Sequence, residues 1–246
     1  MTRPLLRAAD RHRFAADGYL VLPDAVPLDV IEVLRREADG VRDRLLAGVG
    51  GAHCHEGRIT WWKLADGSAY LLKIKPVLDR SSAASELAHG SLAALAGDLL
   101  GTRSILMEDK FMYKQRLGDM PAPEDLPVLG EEIRKHTDAA YFAARGYDRV
   151  VTVAVCLDDC EPDSGPLRVW PGSHRTRSTM VSTRHQGPVV ADADAPDAAA
   201  ETLTVPAGTV IAWDAALVHA SEQNQSGNPR RLLVLGYAAA STVGAA

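Results

Sequence analysis

Thr209-Val-Ile-Ala-Trp-Asp-Ala-Ala-Leu-Val-His-Ala-Ser-Glu-Gln-Asn-Gln-Ser-Gly-Asn-Pro-Arg-Arg-Leu-Leu-Val-Leu-Gly-Tyr-Ala238 breaks into three short apolar runs separated by turn residues. The runs Thr209–Trp213, Leu217–Ala220 and Leu232–Ala238 are rich in β-branched and aromatic residues and too short for helices, so they predict strands. Upstream, the same grammar predicts strands at Ser104–Met107, Lys110–Gln115, Val150–Leu157, Leu167–Val169 and Glu201–Val205. Short strands at regular spacing, cut by Gly, Pro and Asp clusters, indicate a sandwich or jelly roll over about residues 103–240.

The first 102 residues read differently. Leu6 to Ala16 is a short amphipathic helix ending at Asp17-Gly18, and Tyr19–Leu22 is a short apolar strand. Pro27 opens a second helix, with Val30, Ile31, Val33, Leu34, Val41, Leu45 and Leu46 at near-helical spacing. Arg58 to Leu64 and Tyr70 to Ile74 bracket a turn at Ala65–Ser68, a hairpin pattern, and Ser81 to Leu100 returns to helix, split near Gly90. No domain boundary separates the halves. The expectation is one domain over residues 1–246, mainly β, with an N-terminal helical cover packed on one sheet. Leu117 to Gly130, Pro- and acid-rich, is expected to be a lid or a disordered loop, and Gln186 to Ala200 is similar.

Composition narrows the function classes. Thirty-two acidic against 27 basic residues give a net charge of −5, which argues against a nucleic-acid partner. No apolar run reaches the roughly 18–20 residues of a membrane span, and no signal-peptide pattern precedes Asp10, Arg11 and Arg13. Three cysteines, none in a C-x-x-C pair, exclude a disulfide framework and a cysteine zinc finger, and place the chain most simply in a reducing cytoplasm. The oligomeric state is not legible.

His136-Thr137-Asp138 is the first candidate for chemistry. On a strand, residues two apart share a face, so an imidazole and a carboxylate would point together into the jelly roll. The pattern is common by chance, and a second histidine must complete it. His219, on an apolar strand of the same fold, would give two histidines and one carboxylate with open positions for other ligands, the donor set of non-haem Fe(II) oxygenases. Alone, His219 reads better as a satisfied core histidine. Arg230 follows eleven residues later and opens the next strand, where a guanidinium can grip a carboxylate bidentately. Arg231 would serve by charge, but adjacent strand residues face opposite ways, so only one enters the interior. Ser221 shares the His219 face.

These pieces resemble the phytanoyl-CoA dioxygenase (PhyH-like) branch of the Fe(II)/2-oxoglutarate oxygenases. Phe14-Ala-Ala-Asp-Gly-Tyr-Leu-Val-Leu-Pro23 is similar to the family's N-terminal signature. Asp163-Ser-Gly-Pro-Leu-Arg-Val-Trp-Pro-Gly-Ser-His174 resembles its NGPL-x-V-x-PGSH segment, and His219-Ala-Ser-x-x-Asn-x-Ser226 with Arg230 its distal motif. The resemblance implies a double-stranded β-helix (cupin-like jelly roll). It implies Fe(II) on the catalytic set His136, Asp138 and His219, with 2-oxoglutarate held at its far carboxylate by Arg230 and Ser221, and by Gln115 on the Phe111–Gln115 strand. It implies hydroxylation of a small, secondary-metabolite-like molecule by O₂, with release of succinate and CO₂. The carboxylate of Asp138 favours oxygenation over halogenation. The chain departs from the family pattern at Lys135 and Thr137, beside the first ligand.

Tyr141, Phe142, Arg168 and Trp62 are candidate substrate contacts. Lys73 and Lys75, alternating with apolar residues, read as a solvated strand face. His53-Cys54-His55 reads as a loop, Cys156 and Cys160 as buried thiols, and His174 as structural. The acidic residues Asp119, Glu124, Asp125, Glu131 and Glu132 suggest a neutral or cationic substrate. Two other readings stand beside this one: a cupin-like metalloenzyme without 2-oxoglutarate, which has no need of Arg230, and a non-catalytic β-sandwich binding module.

Overall fold

A computed structural model describes residues 6–47, 53–54, 59–63, 69–115, 133–182 and 188–240, with the backbone alone at 53–54, 62–63 and 69. In chain order the elements are α1 (Ala8–Asp17), β1 (Tyr19–Leu22), α2 (Leu28–Ala47), β2 (His53–Cys54), β3 (Ile59–Lys63), β4 (Ala69–Ile74), α3 (Ser82–His89), α4 (Ser91–Leu100) and β5 (Ser104–Lys114). They continue with β6 (Ile133–His136), α5 (Ala139–Ala143), β7 (Val150–Cys156), β8 (Leu167–Val169), β9 (Met180–Ser182), β10 (Pro188–Val190), β11 (Glu201–Leu203), β12 (Val210–Asp214), β13 (His219–Ser221) and β14 (Arg230–Ala239).

The strands form an eight-stranded sheet, β1-β12-β7-β14-β5-β4-β3-β2, facing a four-stranded sheet, β11-β8-β13-β6. Together they make the double-stranded β-helix. The large sheet has two apolar faces, and alternation sorts its residues between them. Val151, Val153 and Val155 of β7 and Leu233, Leu235 and Tyr237 of β14 pack outward against Ile31 and Leu34 of α2 and Leu95 of α4. Ala154 and Cys156 of β7, Ile211 and Trp213 of β12, and Leu232 and Val234 of β14 point inward, to Val169 and Leu203 of the small sheet. The helices cover one side because their buried positions, Ile31, Leu34, Ala38 and Val41 in α2, recur at three- and four-residue spacing.

The structure corrects several expectations. Residues 1–102 are more than a helical cover, since β1 adds to β12 and β4 pairs with β5, extending the large sheet at both ends. The strands expected at Ser104–Met107 and Lys110–Gln115 are one continuous strand, β5, because Glu108 and Asp109 are not a break. Asp109 Oδ1 instead accepts the backbone N–H groups of Val77 and Leu78. A strand was expected at His136–Asp138 only from the H-x-D reading, and β6 lies earlier, over Ile133-Arg-Lys-His136, which has little apolar pattern. Its pairing with β13 forms it. Gln186 to Ala200 is not simply a loop: β10 pairs with β9, and a 3-10 turn spans Asp197–Ala199. Leu117–Gly130, the hairpin turn Ala65–Ser68 and the chain end 241–246 lie outside the described residues.

Candidate active site

The interior cavity, about 120 Å³, lies between the two sheets. His136 is the last residue of β6 and stands in register with His219 of β13, so strand pairing alone brings the imidazoles together, their ring centroids 4.2 Å apart. Asp138 arrives differently from the expectation. β6 ends at His136, and Asp138 takes helical backbone angles (φ −77°, ψ −16°) as the N-cap of α5. A turn, not strand alternation, swings its carboxylate back. His136 Nε2 lies 3.8 Å from Asp138 Oδ1, and His219 Nε2 lies 3.8 Å from Oδ2. One donor atom from each of the three falls within 4.8 Å of the others.

The surroundings aim these donors. His136 Nδ1 is 2.8 Å from the Arg134 carbonyl and His219 Nδ1 is 3.0 Å from that of Leu217. A carbonyl can only accept, so each ring carries a proton on Nδ1 and turns Nε2 toward the cluster, the orientation a metal ligand needs. Burial, with the neighbouring His136, pushes the His219 imidazole down to about 4, so it is neutral near pH 7. Burial raises the Asp138 carboxyl, but His219, His136 and Lys110 outweigh it and hold the group below its usual range. Thr152 Oγ1 donates to Asp138 Oδ2 at 3.3 Å. Three convergent donors, neutral or anionic as a metal requires, fit Fe(II).

Deeper in the cavity is a cationic end. Arg230 opens β14 and points inward, only 5% exposed. Its Nη2 donates to the Gly165 carbonyl at 2.7 Å. Its Nε is buried with no hydrogen-bond partner, and no carboxylate among the described residues pairs with it. A buried guanidinium with an unused donor is costly unless a ligand supplies the acceptor, which fits a carboxylate co-substrate. Ser221 Oγ lines the same end and accepts from Lys114 Nζ at 2.8 Å, and that ammonium also donates to the Glu222 carbonyl. The turn before Arg230 is a built device: Asn224 Nδ2 donates to the carbonyls of Lys114 and Asn228, at 2.9 and 2.8 Å, and its Oδ1 accepts from Ser226 N and Oγ, at 2.9 and 2.8 Å.

Other expected site residues lie elsewhere. Gln115 is turned away from the cavity: its Oε1 accepts the Leu71 backbone N–H at 2.9 Å. One residue along the strand flips the face, so Lys114 lines the cavity instead. Sequence reasoning missed Lys114 because alternation separates it from Gln115 without saying which of the two faces inward. Phe142 is buried in a small apolar cluster with Val150, Ala215 and Ala238, away from the cavity. Arg168 pairs with Glu222 at 3.0 Å and Asp197 at 3.3 Å and stacks over Trp170, behind the small sheet. Tyr141 is 46% exposed, beyond the cavity lining. The side chain of Trp62 lies outside the described residues.

The phytanoyl-CoA dioxygenase (PhyH) family model matches residues 14–232. The L-proline trans-4-hydroxylase of Streptomyces griseoviridis is 25% identical, over 96% of this chain and 87% of its own. The ectoine dioxygenase of Stutzerimonas stutzeri (strain A1501) is 27% identical, over 92% of this chain and 74% of its own. Among solved structures, EctD from S. alaskensis with 2-oxoglutarate and 5-hydroxyectoine superposes with a TM-score of 0.75 at 25% identity, covering 96% of this chain and 77% of that one. AviO1 from Streptomyces viridochromogenes Tue57 shares the fold over the full length of both chains, with a TM-score of 0.70 at 24% identity.

Proposed function

Because the chain belongs to the phytanoyl-CoA dioxygenase family, we propose that His136, Asp138 and His219 hold Fe(II) and that Arg230, Ser221 and Lys114 hold the far carboxylate of 2-oxoglutarate. The protein is a non-haem Fe(II)/2-oxoglutarate-dependent dioxygenase acting on a small molecule. Fe(II) held by these residues would supply activation of O₂, one oxygen atom going to succinate as 2-oxoglutarate loses CO₂ and the other to the hydroxylated substrate. The chain's own part is placement. The Arg134 and Leu217 carbonyls fix both imidazoles, and Thr152 steadies Asp138. Leu167, Leu232 and Val234 give the cavity apolar walls that exclude water.

One observation carries this assignment: a three-donor cluster and a buried arginine with an unused N–H share one cavity. A cupin without an oxo-acid has no use for that arginine, and a binding module has no use for either. The whole chain serves as one unit, since strands from both halves build the large sheet. No helix among the described residues is long and apolar enough to cross a membrane. The free, buried thiols Cys156 and Cys160 suit a reducing compartment such as the cytoplasm.

Anaerobic titration tests the assignment. Fe(II) followed by 2-oxoglutarate is expected to give a weak visible charge-transfer band that His219→Ala abolishes. Absence of the band in the wild type, or its persistence in the variant, sinks the assignment.

A further inference from the structure

His136 is held less firmly by its surroundings than its partner His219. Its side chain is 28% exposed against 7% for His219. β6 stands at the edge of the small sheet, with β13 as its one ladder partner among the described residues. That ladder is also irregular. Three steps along β6, from Ile133 to His136, face two along β13, from Ser221 to His219, so β6 carries one extra residue, a β-bulge. The bulge lets Ile133 and His136, of opposite parity, both line the cavity. It also interrupts the ladder beside the histidine.

Lys135, where the chain departs from the family pattern, secures the bulge from the other side of the sheet. It is buried and does not line the cavity. Its Nζ lies 2.7 Å from Asp192 Oδ1, 3.0 Å from Asp197 Oδ1 and 5.4 Å from the centre of the Trp170 ring. The segment that supplies both carboxylates is itself fixed. Trp170 Nε1 donates to the Pro196 carbonyl at 2.9 Å, and Val190 and Ala195 pack with Trp170, Val218 and Ala220 in a small apolar cluster. Exposed ion pairs contribute little. This cation is buried, however, and a buried charge must stay with its partners, so the pairing fixes where Lys135 sits. Val218 and Ala220 flank His219 as Lys135 flanks His136, so one platform backs both histidine strands.

We propose that Lys135 is a positioning residue for the metal site: its clamp between Asp192, Asp197 and Trp170 holds the β6 bulge and so aims His136 at Asp138 and His219. The inference rests on the metal assignment above. Lys135 acts on the ligand through the backbone they share, with the effect that outer hydrogen-bond partners of a ligand have on metal affinity. It does not reach Arg230 or Lys114, which stand on β14 and β5.

Two measurements test it. In anaerobic titrations at saturating 2-oxoglutarate, Lys135→Met, which keeps an apolar stem and removes the charge, is expected to weaken Fe(II) binding roughly tenfold. Lys135→Arg, which keeps the charge, is expected to recover most of that loss. The Asp192→Asn/Asp197→Asn double variant leaves the ammonium unpaired and is expected to lose at least as much. Adding Lys135→Met to it is expected to cost nothing further. The iron-loaded protein's affinity for 2-oxoglutarate should be unchanged throughout. The second readout is nitrogen NMR of the imidazoles in the metal-free protein. The His136 Nδ1–H signal, which reports the bond to the Arg134 carbonyl, is expected to shift or broaden in Lys135→Met while that of His219 stays. The proposal is overturned if Lys135→Met binds Fe(II) as the wild type does, or if the losses are additive. It is also overturned if the His136 signal stays, or moves together with that of His219, which marks general loosening. Should the wild type take up no iron, the metal assignment fails, and the NMR comparison still decides whether Lys135 places His136.

Discussion

Arg230 and Arg231 carry the same charge and differ in which face of β14 they leave. Arg230 enters the cavity, while Arg231 leaves toward Asp158 and Asp39, 2.8 Å from each. Alternation foretold that the two would part, and the eleven-residue gap after His219 favoured Arg230. Arg230→Ala is expected to raise the 2-oxoglutarate Kd by roughly tenfold or more, since a charge-assisted bidentate contact is lost. Arg231→Ala is expected to leave that Kd unchanged and to lower stability by about 1–3 kcal/mol, because Asp158 and Asp39 lose their shared cation and keep only Arg35 and Arg42. Calorimetry and thermal melts separate the two, and equal effects on the Kd would refute the assignment. At Lys114 and Gln115 the sequence reading chose the wrong parity. A family likeness pointed to the region, but only the β5–β14 register, with Arg230 opposite Lys114, decides which residue faces inward. Lys114→Met should therefore weaken 2-oxoglutarate binding several-fold, by loss of one buried cation. Gln115→Ala should leave it unchanged, since its bond to Leu71 only docks β4. The reverse result would mean that β5 is inverted.

Several elements were legible because their signals are local. Gly18 ends α1 in a left-handed conformation (φ 82°), as Asp17-Gly18 suggested. There a Cβ would collide with the His174 ring, so the Phe14–Pro23 and Asp163–His174 motifs are two sides of one contact. The Gly172 N–H to Asp17 carbonyl bond, 2.8 Å, belongs to the same junction. This explains His174 as structural, although its role is to pack on α1. Gly165 (φ 72°) is a second such point: a Cβ there would strike the Glu222 carbonyl and the Lys114 stem, and the Gly165 carbonyl holds Arg230. Gly165→Ala is expected to weaken 2-oxoglutarate binding roughly tenfold or more while the three-donor cluster still takes up Fe(II). Unchanged 2-oxoglutarate affinity would show that this turn does not set the arginine. β6 and the helical turn at Asp138 were not legible, because neither has periodicity of its own. Pairing with β13 creates the first, and the Ala139 N–H to Ala215 carbonyl bond, 2.9 Å, anchors the second.

At the scale of the whole molecule, the large sheet divides two tasks between its faces. The outer face makes the main core with α2, α3 and α4, and the inner face makes the cavity. Stability and chemistry should therefore separate. Leu34, fully buried against the sheet, is far from the cavity lining. Leu34→Ala is expected to cost about 2–5 kcal/mol, read as a lower Tm or denaturation midpoint, with 2-oxoglutarate affinity unchanged below the transition. A matching loss of affinity would show that the helical layer also sets the site. The sequence by itself determined the strand-rich class and the helical cover, and its motifs pointed by family resemblance to His136, Asp138, His219 and Arg230, because patterning and motif spacing are properties of neighbours along the chain. The tertiary structure alone decided which of two adjacent residues lines the cavity, that Asp138 comes from a turn, that residues 1–102 extend the sheet, and that Lys73, Lys75 and Lys110 gather around Glu108. Those outcomes depend on register between strands distant in sequence, and register is settled by the packing of both sheet faces at once.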